Sequence, residues 1–158
     1  MIRLSKLTDY GLVLMTCMAR NQRLRTARDL AAESKLPLPT VSRLLKRLSQ
    51  GGLLISHRGM KGGYVLARAP LRISLEEIIE ALEGPIALTE CSTDVSGLCG
   101  LETCCVIKNN QRMISQAVRK VLERLTLSDL SQALQLTTVK DARGKLVPMI
   151  GLASGRIQ

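Results

Sequence analysis

Apolar positions in the first half of the chain recur at helical spacing, and the breaks between them carry helix-stopping residues. Leu7, Tyr10, Leu14, Cys17 and Met18 share one face of a segment that Ser5 can cap and that runs to about Arg20. Cys17 reads there as a small core residue. Thr26-Ala27-Arg28-Asp29 has the form of a capping box with Asp in place of Glu, and opens a short helix through about Ser34. Leu36-Pro37-Leu38-Pro39 breaks the chain into a turn. Beyond it Val41, Leu44, Leu45 and Leu48 stand at i, i+3, i+4 and i+7, a narrow stripe that predicts an amphipathic helix ending at Gly51-Gly52. Leu53–Ser56 and Tyr64–Ala67 read as two strands around the glycine-rich turn His57-Arg58-Gly59-Met60-Lys61-Gly62-Gly63. Ser74 and Glu77 box the start of a further helix that stops at Gly84.

The second half is patterned differently. Residues 85–105 show no period. From about Val106 to Leu125 a helical pattern returns, with Ile107, Ile114, Ala117, Val118, Val121, Leu122 and Leu125 on one side. Thr126-Leu127-Ser128-Asp129-Leu130 breaks into a short last helix, and the chain after about Gln135 reads as a polar, flexible tail. The predicted architecture is mainly α with a small β-hairpin wing: a winged helix-turn-helix over residues 1–84, a cysteine-rich loop over 85–105, a long dimerisation helix with a short last helix over 106–134, and a tail over 135–158.

That order of elements directs attention to the polar side of the Val41–Leu48 helix. In a helix-turn-helix the second helix enters the major groove with its N-terminal residues nearest the bases. Thr40, Ser42 and Arg43 occupy that place. Arg43 has the fork geometry for guanine O6 and N7, and Ser or Thr can bond either base type. Lys46 and Arg47 lie further along and suit phosphates. Arg58 and Lys61 stand on the glycine-flanked turn, placed for a narrow, strongly negative minor groove.

Charge sharpens the picture. Residues 1–72 hold 14 Lys or Arg against three acids, whereas residues 73–107 hold seven acids and no Lys or Arg. A basic block of this size is the electrostatic footprint of a nucleic-acid-binding unit. With no Trp or Phe and only Tyr10 and Tyr64, the core must be aliphatic. Neither a signal peptide nor an apolar run of about 18 residues is evident, so no membrane span and a cytoplasmic location are expected. Catalysis finds little support: the one histidine, His57, lies on the wing, with no base and nucleophile to pair. No enzyme activity and no small-molecule substrate are expected.

Four of the five cysteines crowd into one loop. Cys91 is followed after seven residues by Cys99, and after four more by the adjacent Cys104 and Cys105. In a reducing compartment such a cluster suits metal or redox chemistry better than disulfides. Thiolates are the usual ligands of iron–sulfur clusters, and the spacing is not the C-x-x-C pairing of structural zinc sites.

Three stretches together resemble the iron–sulfur winged-helix regulators that include IscR and NsrR. They are Arg3-Leu4-Ser5-Lys6-Leu7-Thr8-Asp9-Tyr10-Gly11-Leu12; the wing Arg58–Leu66 with Ile78–Ile86 after it; and the cysteine loop with Thr126–Leu130. The likeness covers roughly residues 1–134 and is nearest to regulators of the SUF iron–sulfur assembly operon. It implies a DNA-binding transcriptional regulator, a repressor by expectation. A homodimer would bind a near-palindromic double-stranded operator, and an iron–sulfur cluster, [2Fe-2S] or alternatively [4Fe-4S], would set its DNA affinity. Family members carry three cysteines here; alignment on the following segment implies Cys91, Cys99 and Cys105 as ligands and leaves Cys104 as the extra. Some members use a His three residues after the third Cys, where this chain has Lys108; others use an acid in the first helix of the partner subunit, where it has Asp9. Asp9 and Cys104 are thus the two candidates for a fourth ligand. The chain also has Gln111 where the family commonly has Trp. Two other readings stand beside this one: a winged-helix regulator sensing nitric oxide, or oxidants through its thiols, and an iron–sulfur carrier without a DNA role, which the basic N-terminal half disfavours.

Overall fold

The computed structural model describes residues 4–59, 62–89, 92, 99–100, 104–132, 136–140 and 146–150. Three helices lead: α1 (Lys6–Arg20), α2 (Ala27–Ser34) and α3 (Leu38–Gln50). An antiparallel hairpin follows, β1 (Leu54–His57) with β2 (Gly63–Leu66), and then α4 (Leu75–Glu83). Beyond the cysteine loop come α5 (Lys108–Arg124) and α6 (Leu127–Ser131). A second antiparallel hairpin pairs β3 (Leu136–Lys140) with β4 (Leu146–Ile150).

Local chemistry starts most of these helices. The Ser5 hydroxyl accepts from the Thr8 backbone N–H at the head of α1. Reciprocal capping boxes open α2 (Thr26 with Asp29) and α4 (Ser74 with Glu77), as the spacing predicts, and a third opens α6 (Thr126 with Asp129). The Thr26 hydroxyl and backbone N–H beside Asp29 hold its carboxyl below the usual range. The turn into α3 departs from expectation. Lys35 takes the left-handed conformation that ends α2 (φ 57°), and Leu38-Pro39 is already the first turn of α3. Proline is at home there, because the first N–H groups of a helix have no intrahelical acceptor to lose.

The core is aliphatic and thioether, as the scarcity of aromatics requires. Leu14, Met15 and Met18 of α1, Leu30 of α2, and Val41, Leu44, Leu45 and Leu48 of α3 are buried, together with Leu53, Ile73, Ile78 and Leu82. Each of the four α3 residues has 0% exposure, so the whole predicted stripe is used. Cys17 is half-buried against this core, and burial pushes its thiol pKa up, with Glu33 adding to the shift.

Four features go beyond the sequence reading. The wing strands sit one residue from expectation, and Arg25 bridges Tyr64 of β2 through both backbone bonds (3.0 and 2.8 Å). The glycine-rich turn has a steric reason: Gly59 has φ +110°, and a Cβ on Gly63 would stand 2.5 Å from the Arg25 carbonyl oxygen. The short helix α6 belongs to the winged-helix body. Leu127 is fully buried, its N–H donates to Ile73 O (2.8 Å), and the Leu75 N–H donates to Leu125 O (2.8 Å). In the segment read as a tail, residues 136–140 and 146–150 are paired strands, in register from Leu136 with Ile150 to Lys140 with Leu146.

Candidate nucleic-acid interface and cysteine loop

The burial of one side of α3 decides what its other side offers. Ser42, Arg43 and Lys46 are exposed together, and Thr40 is half-buried in the first helical turn. Side chains i, i+1 and i+4 on a helix whose apolar stripe is sealed form one solvent-facing surface. Arg43 thus stands free of the core with its fork available for a base edge or a phosphate. Arg58 is exposed where β1 enters the turn of the wing; Lys61 lies outside the described residues.

Arg47 is placed differently. It is half-buried, and its Nη1 donates to the Leu82 carbonyl oxygen of α4 at 2.7 Å. The guanidinium read from the sequence as a phosphate contact is therefore engaged inside the protein. Arg25, part of the basic block, is also withdrawn from the surface. It is 7% exposed and paired with Glu33, and its Nη1 is buried with no hydrogen-bond partner among the described residues. Both arginines count toward the charge of the N-terminal half, yet Arg25 is buried and paired, and Arg47 gives one of its donors to Leu82. Composition had no means of separating them from Arg43.

Of the cysteines expected in the loop, Cys99 and Cys105 are half-buried and Cys104 is exposed; Cys91 lies outside the described residues. Asp9 is exposed on the first turn of α1. Among the described residues no three His, Cys, Asp or Glu side chains gather closely enough to hold a metal ion. The donor chemistry of the loop still fits an iron–sulfur group, being thiolate-rich and free of the zinc spacing.

The root of the loop is firmly built. Ser115 is the buried residue of α5, and its hydroxyl accepts from the Leu88 backbone N–H at 3.0 Å, fastening the chain leaving α4 to the long helix. Arg119 of α5 bonds Glu76 of α4 and reaches Glu80 at 3.2 Å. One apolar side of α5 is left open: Ile107 just before it is 50% exposed, and Met113, Ile114 and Val121 are 65%, 49% and 59% exposed. Ile107, Ile114 and Val121 repeat every seven residues, the spacing of a helix that packs along another helix. Among the described residues no helix is long and apolar enough to cross a membrane.

A helix-turn-helix packed on an aliphatic core, a glycine-turned wing and an exposed cationic face on α3 define the class: a winged-helix DNA-binding protein. The chain belongs to the Rrf2 family, described as iron-dependent transcriptional regulators, whose pattern matches residues 4–133. It is similar to the HTH-type transcriptional regulator NsrR of Oceanobacillus iheyensis, with 28% identity over 131 residues, covering 82% of this chain and 89% of that protein. Among solved structures it resembles CymR (YrzC), the global cysteine regulator of B. subtilis. The TM-score is 0.63 at 32% identity, covering 83% of this chain and 97% of that one. It also resembles T. potens IscR, with a TM-score of 0.62 at 27% identity and coverage of 85% and 93%. The protein is a DNA-binding transcriptional regulator, and the family is one of regulators rather than enzymes.

Proposed function

We propose that this protein is a cytoplasmic, homodimeric repressor whose operator affinity depends on an iron–sulfur cluster bound by its cysteine loop. The observation that carries the reading is an exposed polar and cationic face on α3 together with a cysteine-rich segment that joins α4 to α5 and is tied at its root by Leu88 to Ser115. Two copies would join along the exposed face of α5, which buries the apolar stripe this chain leaves open and presents two α3 helices to a near-palindromic site. Arg43 reads a guanine, Ser42 and Thr40 contact neighbouring base edges, Lys46 neutralises a phosphate, and Arg58 with Lys61 enters the flanking minor groove.

Cys91, Cys99 and Cys105 are the proposed ligands, with the partner subunit's Asp9 completing the set and Cys104 the alternative fourth. On the motif resemblance to SUF-operon regulators, the reading takes a [2Fe-2S] group over [4Fe-4S] and iron–sulfur assembly genes as targets. When bound, the cluster supplies an oxidant-sensitive iron centre that the side chains lack. The chain's own part is mechanical: the loop links α4 to α5, and Asp9 would extend that link to the first helix of the partner's reading head. A tenfold change in operator affinity needs only about 1.4 kcal/mol of difference between linked and released states.

The test is anaerobic purification followed by a visible spectrum, iron and acid-labile sulfide assays, and operator binding by loaded and metal-free protein. Matched iron and sulfide with a difference in operator affinity supports the reading. Protein that stays colourless and iron-free after reconstitution removes the cluster and leaves the DNA function. The exposure of Cys104 favours direct thiol oxidation as the second reading, which predicts that peroxide alters operator binding of iron-free protein.

A further inference from the structure

Any influence of the cysteine loop on DNA must pass from the ends of the loop to α3. The loop leaves α4 at Gly84, where φ is +95°. The turn just before it, Ala81-Leu82-Glu83, is in contact with both α3 and α1. At the α3 end, Arg47 Nη1 donates to Leu82 O at 2.7 Å. That carbonyl is one of the last four of α4 and has no acceptor role inside the helix, so a cation there satisfies it and complements the helix dipole. Gly51, which caps α3, lies so close that a Cβ on it would stand 2.7 Å from Ala81 Cβ. Toward α1, Leu82 is 3% exposed and fills the space beside Gly11, where a Cβ would meet Leu82 Cδ1 at 2.3 Å. Glu83 Oε1 accepts from the Ser5 backbone N–H at 2.7 Å and from the Thr8 hydroxyl. Asp9 follows Thr8 directly.

We infer that the last turn of α4 is the joint that sets the reading helix relative to the cysteine loop, and that Arg47 and Glu83 are its positioning residues. Arg47 acts on DNA through Leu82 and the placement of α3, without touching a phosphate. Glu83 holds the head of α1, and with it Asp9, to the same turn. The two close glycine contacts leave little room for slip, so a displacement at Gly84 is passed to α3 and α1 rather than absorbed. The coupling half of this inference rests on the cluster-dependent reading above; the positioning of α3 by Arg47 does not.

The experiment measures operator affinity against salt for full-length wild type, Arg47→Met, Arg47→Lys and Glu83→Ala, each loaded and metal-free. A lost phosphate contact lowers the slope of log affinity against log salt by about one and weakens all DNA alike. The joint predicts instead an unchanged slope for Arg47→Met, affinity for the operator reduced about tenfold, and a loaded-to-empty ratio that falls toward one. Arg47→Lys, which retains a donor, recovers part of both. A slope lowered by about one with the ratio intact overturns the positioning role. If Arg47→Met does not fold, Glu83→Ala, which removes the acceptor of both hydrogen bonds, carries the test: a reduced ratio at unchanged slope supports the joint, and wild-type ratio and affinity overturn it. A wild type whose affinity ignores loading sinks the cluster reading and the coupling half together, while the salt slope of Arg47→Met still decides the positioning of α3.

Discussion

Helices α3 and α5 carry apolar stripes of similar legibility and opposite fate. Val41, Leu44, Leu45 and Leu48 of α3 are all sealed within their own chain, whereas Ile114 and Val121 of α5 remain about half exposed. On α3 the buried stripe fixes the helix so that Ser42, Arg43 and Lys46 present a defined surface. On α5 the inner side is held by polar ties, Ser115 to Leu88 and Arg119 to Glu76 and Glu80, and the apolar side is left over. Periodicity reports that a face needs burial; it does not report what covers it. The same kind of pattern therefore means core in one helix and, on the proposed reading, subunit interface in the other.

The largest effect that would break this contrast is a truncation in α3. Leu44→Ala, at a fully buried position, is expected to cost about 2–5 kcal/mol by urea or thermal unfolding. The same size of change on α5, Ile114→Ala, should cost the isolated chain little. A stability loss of equal size at both positions, measured at low protein concentration, would erase the distinction. Next comes Val121→Glu, which should dissociate the proposed dimer in sedimentation and lower operator affinity by at least about a hundredfold, the gain two linked heads give over one. An unchanged sedimentation coefficient would show that α5 is not the interface. Arg43→Ala should cost about 1–3 kcal/mol of operator binding and relax the base preference at one position, with little change in melting temperature. Loss spread evenly over all sequences would reassign Arg43 to the backbone. Thr126→Ala removes the cap of α6 and should cost about 1 kcal/mol of stability, which tests whether α6 belongs to the winged-helix body.

The smallest effect concerns pH. The Thr8 hydroxyl, with Ser5 adding to it, holds the Glu83 carboxyl below its usual range despite some burial. A carboxyl lowered on folding stabilises the native state above its unfolded value, near about 4.3, and that contribution is lost as pH falls through the lowered folded value. Glu83→Gln should therefore melt slightly below wild type at neutral pH, and the two curves should converge in acid. Parallel curves across the range would show that the carboxylate charge contributes nothing to this contact.

Much of the fold could be read because it is locally encoded. The Ser5 cap, the Thr26 and Ser74 boxes and the α3 stripe each depend on residues within one or two turns of each other, and each is present as spaced. The reading face of α3 follows from the same stripe, since whatever is not buried is offered. Local signals misled where a residue's role is set by a distant neighbour. Pro39 reads as a breaker until its place in the first turn of α3 is known. Arg47 reads as a phosphate contact until the Leu82 carbonyl is found beside it, and Arg25 counts only as part of the basic block until Glu33 is found paired with it.

The chain order of elements, their caps, the aliphatic core and the crowding of four thiols into one loop are properties of the sequence alone, because each is a matter of short-range spacing. Tertiary structure decided which arginines remain free, that α6 closes the body through Leu127, that α5 keeps an uncovered apolar face, and that one turn of α4 touches both α1 and α3. Those outcomes depend on contacts between residues far apart in the chain, such as Ser5 with Glu83, 78 positions away, and only the packed chain brings such residues together.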